Sequence, residues 1–197
     1  MYANQTAFDQ PDSRRMALGV DLRPANAITD AQGRVLAHKQ TGGMLSPTRH
    51  VLNTGDALFR FGSRTAGPVK VAGGAWWMDQ AAFDQLFRFA QVWELSVGMA
   101  MRILCLVPPE WSDATLLIRA RVAQPLLAWR GLANSVVTPA AGGGSVKMPH
   151  QNDIAARRLH QLFVPGLAAL PADRPGVRVE QDYPLDEAAG KRGFIYL

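Results

Sequence analysis

Two short apolar segments of the sequence each contain one polar side chain that could bind a ligand. Residues 58–64 read Leu-Phe-Arg-Phe-Gly-Ser-Arg and place Arg60 between two phenylalanines. Residues 160–166 read His-Gln-Leu-Phe-Val-Pro-Gly and contain Gln161. Because a buried cation or amide is costly unless a partner satisfies it, both side chains are candidates for ligand contacts. The planar donor fork of an arginine suits a phosphate, so phosphate binding is the first chemistry to consider.

A pair of tryptophans supplies a third candidate. Trp76 and Trp77 follow Gly73 and Gly74, just before a helix that we expect to begin near Asp79. They could form an aromatic wall for a planar ring, with the helix N-terminus facing phosphate. The alternative is that one tryptophan faces the core and the other its rim. The segment lacks the glycine spacing and the following Lys-Thr of a phosphate-binding loop.

The elements that would hold these residues follow from the hydrophobic pattern. We predict a strand over 57–62 and an amphipathic helix capped by Asp79. Its apolar residues recur at three- and four-residue spacing and should face the core: Phe83, Leu86, Phe87, Ala90 and Trp93. Further strands are expected at 99–107, where a helical beginning is the alternative, and at 114–122, 126–131, 156–164 and 193–197. Several strands around one main helix predict an α+β fold.

The chain divides near residue 55. Residues 1–55 show little periodicity, and Asp30–Gly33 is typical of a hairpin turn, so we interpret this part as an N-terminal arm or hairpin extension. Residues 56–197 form a single α+β domain in this interpretation. Within it, the Gly142–Gly144 run indicates a flexible loop that is either a solvated linker or closes over a ligand.

Composition limits the possible functions. The chain has 197 residues, and 48% of them are hydrophobic. Its net charge of +5 favours an anionic partner, and the alternative is that the charge serves solubility alone. Cys105 is the only cysteine, so an intramolecular disulfide and a thiolate-rich metal site are excluded. The four histidines lie too far apart for a local metal motif, and we predict no metal.

The beginning of the chain has neither a basic region nor an apolar stretch typical of a secretory signal. No run approaches the roughly 20 apolar residues of a membrane span, and we expect no membrane association. The sequence therefore predicts a protein that is cytoplasmic as made, and export without a cleavable signal stays open.

Residues 58–64 resemble the first core strand of ADP-ribosyltransferase toxins, in which an aromatic-Arg-aromatic-x-Ser-Arg arrangement supplies the arginine of the NAD site. The order of later elements is also similar, ending in a strand of the form Glu-x-Glu-Val-x-x-Pro-Gly. Here residues 159–166 occupy that place, and Gln161 stands where the transfer glutamate would be. The resemblance implies a split, strand-rich core with NAD bound between the Arg60 and Gln161 strands.

On this resemblance, Arg60 and Gln161 would be the catalytic pair, and NAD would contact Arg60, Gly62, Ser63 and either Trp76 or Trp77. The implied reaction is transfer of ADP-ribose to an unidentified macromolecule, or NAD hydrolysis. An effector or toxin role follows, with an immunity protein as partner.

A glutamine keeps a hydrogen bond to ribose but supplies no negative charge, so another carboxylate would be needed to stabilise the transition state. The candidates are Glu94, Glu110, Asp153 and Glu180. The family's serine-rich segment has only Ser135 and Ser145 as stand-ins, and ordinary turn serines explain both equally well.

The alternative is a non-enzymatic module whose basic cleft binds a protein or nucleic acid. The arginines at 60, 64, 119, 121, 130, 157 and 158, with Trp129 among them, could form a nucleic-acid surface or a solvated face. A hydrolase built on Ser63 would need one of the histidines to approach it in space: His38, His50, His150 or His160.

Overall fold

Seven antiparallel strands form the main sheet of the computed structural model, which describes residues 1–140, 142–150 and 157–185. The strands are β3 (Met44–Leu52), β4 (Ala57–Gly62), β5 (Trp76–Asp79), β6 (Leu116–Val122), β7 (Leu126–Ala133), β10 (His160–Phe163) and β11 (Val177–Pro184). Their order across the sheet is β11-β6-β4-β5-β10-β7-β3. Five helices accompany the sheet in the described residues: α1 (Gln5–Phe8), α2 (Pro11–Ala17), α3 (Pro68–Ala72), α4 (Gln80–Val92) and α5 (Val97–Cys105). The predicted α+β fold is confirmed.

The two longest helices begin at capping side chains. Asp79 accepts a hydrogen bond from the amide of Ala82 at 2.8 Å, as predicted for the start of α4. Ser96 accepts one from the amide of Met99 at 3.1 Å and begins α5, which ends before Leu106 in the left-handed region. The strand expected at 99–107 is therefore wrong, because this apolar run follows a helix cap and continues as a buried helix.

The two larger hydrophobic clusters of the described residues lie on the main sheet. The first joins the sheet to α3 and includes Leu58, Trp77 and Leu162. The second packs α4 and α5 against Phe59 and Met78. Leu58 and Phe59, which are consecutive in β4, therefore pack in different clusters, as expected for a strand buried on both faces.

The predicted core stripe of α4 is only partly correct. Leu86 and Ala90 are buried, but Phe87 is 44% exposed and Trp93 is 57% exposed. Phe89 is buried in their place. The buried face is thus rotated toward Phe89, because α5 covers this side of α4.

The first 55 residues, assigned from sequence to an arm or hairpin, contain the predicted hairpin of β1 (Ala27–Thr29) and β2 (Val35–His38). They also contain β3, which pairs with β7 at the edge of the main sheet. Asn4 anchors the beginning of the chain, because its side chain exchanges two 2.8 Å hydrogen bonds with the backbone of Leu127.

A second hairpin joins β8 (Val136–Pro139) to β9 (Ser145–Met148), and Gly143 and Gly144 adopt positive φ between the two strands. The expected strand at 193–197 lies outside the described residues. In the part of the chain that the structure describes, no helix has the length and apolar character to cross a bilayer.

Candidate functional site

A cavity of about 980 Å³ opens where the main sheet splits. On the short strand β5, Trp77 and Trp76 pair with Leu162 and Phe163 of β10, whereas Met78 and Asp79 pair with Phe59 and Leu58 of β4. The ladder between β4 and β5 stops after Phe59, and the cavity lies beyond that point. All six residues assigned from the sequence line it: Arg60, Gly62, Ser63, Trp76, Trp77 and Gln161.

Arg60 bridges the split between the two strands. Its Nη1 donates to the backbone oxygen of Trp76 at 2.5 Å. Its Nε is buried and has no hydrogen-bond partner in the described residues. Burial lowers the pKa of the guanidinium to about 10. No carboxylate within the described ranges forms an ion pair with Arg60, so the wall holds a desolvated cation without a counter-charge.

Two glycines make room at the split. A Cβ built on Gly74 would lie 2.0 Å from Nη2 of Arg60, so any side chain there would occupy the position of the guanidinium. A Cβ on Gly62 would lie 2.7 Å from the side chain of Val71 in α3. Gly62 therefore permits α3 to pack over β4, which is a structural reason for the glycine in addition to its place in the wall.

The two tryptophans have different environments. Trp77 is 2% exposed, packs in the first hydrophobic cluster and donates from Nε1 to the oxygen of Gly74 at 2.7 Å. Trp76 is only partly buried and meets the ring of Phe163 edge-on at 5.1 Å. Both contribute to the cavity wall, but Trp76 is the one with ring surface left to offer a ligand.

Gln161 lies in β10, and its side chain is held by α5. Its Nε2 donates to the backbone oxygen of Cys105 at 3.1 Å, and the residue is 7% exposed. This contact uses the amide nitrogen and leaves Oε1 as the acceptor available for a ligand. A carboxylate in the same orientation would face the Cys105 carbonyl, so the position suits an amide.

Ser63, at the end of β4, is hydrogen-bonded to a carboxylate rather than to a histidine. Its hydroxyl donates to Oδ2 of Asp113 at 2.7 Å and lies 2.8 Å from the hydroxyl of Thr65. The next amide, that of Arg64, donates to the hydroxyl of Thr115 at 2.9 Å. None of the described residues lining the cavity is a histidine, so the arrangement does not favour a serine hydrolase.

Three of the four carboxylates proposed from sequence lie outside the cavity lining. Glu180 of β11 forms ion pairs with Arg121 at 2.9 Å and Arg119 at 3.4 Å. Neither Glu94 nor Glu110 is among the residues lining the cavity. Asp153 lies outside the described residues.

The two serines that would replace the serine-rich segment, Ser135 and Ser145, are also absent from the lining. The hydroxyl of Ser135 accepts a hydrogen bond from the amide of His150 at 3.2 Å.

One carboxylate that the sequence reasoning missed does line the cavity. Asp21 accepts hydrogen bonds from the side chain and backbone of Arg23, which hold its pKa well below its usual range. It belongs to an N-terminal wall of the cavity formed by residues 19–24 and 41–43, with Met16. Nothing in the local pattern of residues 1–55 marks them as part of a site, because only the folded chain brings them to the split.

A further part of the wall comes from the end of α5 and the loop after it, including Cys105 and Trp111. Burial raises the pKa of the Cys105 thiol to about 12, consistent with an inert thiol. Within residues 1–140, 142–150 and 157–185, no group of three or more histidine, cysteine, aspartate or glutamate side chains could hold a metal ion.

The basic residues considered for nucleic acid are partly neutralised. Arg119 and Arg121 form ion pairs with Glu180. The Nε of Arg130 lies 3.7 Å from Oδ2 of Asp79. Trp129 stacks on Phe8 at 4.6 Å and donates to the hydroxyl of Ser13. The ring of Trp129 is therefore engaged inside the fold.

No family model and no curated protein matches the chain. Among solved structures, Rhs1-CT in complex with its cognate immunity protein RhsI1 aligns with 78% of this chain and 89% of its own, at 12% identity and a TM-score of 0.40. Tne2 in complex with Tni2 aligns with 72% of this chain and 95% of its own, at 9% identity and a TM-score of 0.34. Both scores are too low to establish a common fold.

Proposed function

We propose that the cavity binds NAD and that the chain is an ADP-ribosyltransferase-like toxin or effector domain, which transfers ADP-ribose to a macromolecule or hydrolyses NAD. The observation that carries the proposal is the uncompensated guanidinium of Arg60 in the wall of a large cavity. A dinucleotide would supply the missing negative charge through its pyrophosphate.

The cost of burying Arg60 supports a ligand rather than a structural role. A desolvated cation without a counter-ion destabilises a fold, and such a group persists where function needs it. Among the described residues, the only hydrogen bond of the guanidinium is that from Nη1 to the backbone oxygen of Trp76, so donors remain for phosphate oxygens. Lys70, in the middle of α3, also lines the cavity and adds another cation besides Arg23, which is paired with Asp21.

The other wall residues suit the remaining parts of NAD. Trp76 offers partly exposed ring surface for a planar base or nicotinamide ring. Gln161, oriented by Cys105, would accept a hydrogen bond from a ribose hydroxyl through Oε1. A volume of about 980 Å³ lies within the range of small-molecule sites and is large enough for a dinucleotide.

In the proposed reaction, the bond between C1′ of the ribose and the nicotinamide nitrogen breaks, and its electron pair leaves with nicotinamide. An oxygen or nitrogen of the acceptor, or a water oxygen, then bonds to C1′ and releases its proton to solvent. The ribose becomes positively charged in the transition state. With glutamine at 161, the negative charge would come from Asp21 in the wall or from Asp113 behind Ser63.

The biological setting follows from the family resemblance of residues 58–64 and 159–166. A toxin domain of this kind is made in the cytoplasm of its producer, so we propose an immunity protein as its partner there. The macromolecular acceptor would be met after export.

Nicotinamide release measured over time tests this function. Arg60→Met retains bulk while removing charge, and Arg121→Met is the matched control, because Arg121 is exposed and lies outside the cavity lining. We expect release of nicotinamide by wild type and Arg121→Met and at least about a hundredfold less by Arg60→Met. Equal rates in the two variants would contradict the proposal.

A binding module without catalysis is the second candidate, and Gln161 in place of a glutamate favours it. Such a module would bind NAD or another anion through Arg60 and release no nicotinamide. A nucleic-acid partner would instead give affinity that falls by orders of magnitude between low and moderate salt.

A further inference from the structure

The hydrogen bonds of Ser63 give this hydroxyl a fixed direction. Ser63 donates to Oδ2 of Asp113 at 2.7 Å, and a serine has only one proton to donate. The hydroxyl of Thr65, 2.8 Å away, must therefore be the donor in its contact with Ser63. The oxygen of Ser63 keeps one further lone pair, so Ser63 can accept a hydrogen bond from a ligand but cannot give one.

Asp113 is held in its ionised form by its neighbours. Burial by itself raises the pKa of this carboxyl, but the hydrogen bonds from Ser63 and Thr115 and the charge of Arg102 outweigh burial and lower it. Arg102 is fully buried and donates from Nη2 to the oxygen of Ser112 at 2.8 Å, which fixes the loop carrying Asp113. The carboxylate thus remains an acceptor at neutral pH, and the direction of the Ser63 proton is set.

Both segments of this network reach the cavity. Ser63 and Ser112 line it, as does Arg60. About 10 Å of strand separates the α-carbons of Arg60 and Ser63, at roughly 3.3 Å per residue. The lining of the cavity therefore presents a cation for phosphate and, about 10 Å along the chain, an acceptor backed by negative charge.

We propose that Asp113 is a specificity-determining residue, which orients Ser63 so that this part of the cavity selects a ligand group with N–H donors over one with an oxygen acceptor. The inference rests on the proposed function, in which the ligand is NAD. NAD carries two such groups, the nicotinamide carboxamide and the amino group of adenine. Either would donate to Ser63, whereas an oxygen acceptor in the same place would face the Ser63 lone pair and the charge of Asp113.

Dissociation constants for NAD and two analogues test the proposal and separate the two sources. In nicotinic acid adenine dinucleotide, an oxygen replaces the amide nitrogen, and in nicotinamide hypoxanthine dinucleotide, an oxygen replaces the adenine amino group. We expect wild type to bind one analogue about tenfold more weakly than NAD, which corresponds to loss of one hydrogen bond. The analogue that is penalised identifies the group at Ser63.

Asp113→Asn is the decisive variant. Its amide can donate to Ser63, which frees the Ser63 proton for an oxygen acceptor. We expect discrimination against the penalised analogue to fall to within about twofold in this variant. Ser63→Ala, which removes the hydroxyl, should lose the same discrimination and serves if Asp113→Asn does not fold.

The outcomes are distinct. Discrimination that survives in Asp113→Asn or Ser63→Ala, or wild type that binds both analogues as well as NAD, would overturn the role of Asp113 while leaving the NAD site in place. Failure of wild type to bind NAD would overturn the proposed function and this inference together. If Asp113 has a purely structural role, Asp113→Asn will weaken the binding of NAD and of both analogues by the same factor.

Discussion

The guanidinium of Arg60 occupies the space next to Gly74 that any other residue at position 74 would fill. The Cβ of an alanine there would lie 2.0 Å from Nη2. Arg60 and Gly74 belong to the two sides of the split in the sheet, so the glycine permits the arginine to cross the gap and reach Trp76. The position of the cation in the cavity thus depends on the absence of a side chain on the neighbouring segment.

Gly74→Ala should therefore displace Arg60 with little effect on stability. The clash is with the end of a flexible side chain, and alanine also lowers the entropy of the unfolded chain, so we expect a free energy of unfolding within about 1 kcal/mol of wild type. Affinity for NAD should fall at least about tenfold. Gly73→Ala is the control, because its Cβ would have no contact closer than 3.5 Å. Equal NAD affinity in both variants would show that Arg60 does not hold the ligand.

Replacing Arg60 with methionine separates a ligand role from a structural one. Since the cation is desolvated and has no acidic partner among the described residues, its removal should leave the free energy of unfolding within about 1 kcal/mol of wild type or above it. Urea denaturation measures this quantity. A loss of several kcal/mol would mean that the arginine holds the fold together.

The paired tryptophans should respond differently to truncation. Trp77→Ala removes a fully packed ring and its hydrogen bond to the backbone oxygen of Gly74, and we expect the free energy of unfolding to fall by about 3–5 kcal/mol. Trp76→Ala gives up a partly exposed ring and an edge contact with Phe163, at a cost of about 1 kcal/mol. Thermal unfolding with NAD titration should show weaker binding in Trp76→Ala. Equal destabilisation by the two changes would contradict this division.

The sequence predicts the strand of Arg60 to the residue. It also places Gln161 in a second strand, which the structure shows as β10 in the lining of the cavity. It fails at 99–107, where an apolar run fits a strand and a buried helix equally well and the cap at Ser96 decides. Phe87 and Trp93 were misassigned because periodicity gives the spacing of a stripe more reliably than its exact orientation.

The rest of the site depends on contacts between distant parts of the chain. Asp21 reaches the cavity from the N-terminal region, and Asp113 meets Ser63 across fifty residues. Neither lies in a local motif that could be recognised. The hydrophobic pattern predicts the two strands that carry Arg60 and Gln161. The positions of Asp21 and Asp113 can be seen only in the folded structure.

Gln161→Glu tests whether this position accepts a carboxylic acid. In the wild type, the amide nitrogen of Gln161 lies 3.1 Å from the backbone oxygen of Cys105. A carboxylate would face that oxygen, and we expect the free energy of unfolding to fall by about 1–3 kcal/mol at pH 7. At about pH 4, a protonated carboxyl can donate to that oxygen, and the loss should shrink. Gln161→Met, which has no ionisable group, should show no such pH dependence. Full stability at pH 7 with a gain in nicotinamide release would show instead that the site is built for glutamate.

The Ser63–Asp113 contact should make stability depend on acid pH. The pKa of Asp113 is lowered in the folded protein, so its ionised form stabilises the fold above the ordinary value of 3.8, and this contribution is lost as the pH falls through the lowered pKa. Asp113→Asn should cost about 1 kcal/mol at pH 7, given partial exposure to solvent, and nothing at the acid end. A difference between wild type and variant that stays constant from pH 7 to pH 2 would exclude this linkage.

Titration of NAD into the purified protein, followed by tryptophan fluorescence, tests the central claim most directly. Trp76 and Trp77 line the cavity with Arg60, so binding should quench their emission. We predict saturable quenching in wild type and in Arg121→Met, and at least about tenfold weaker binding in Arg60→Met. Saturable binding of equal affinity in Arg60→Met, or none in wild type, would contradict an NAD site built on Arg60.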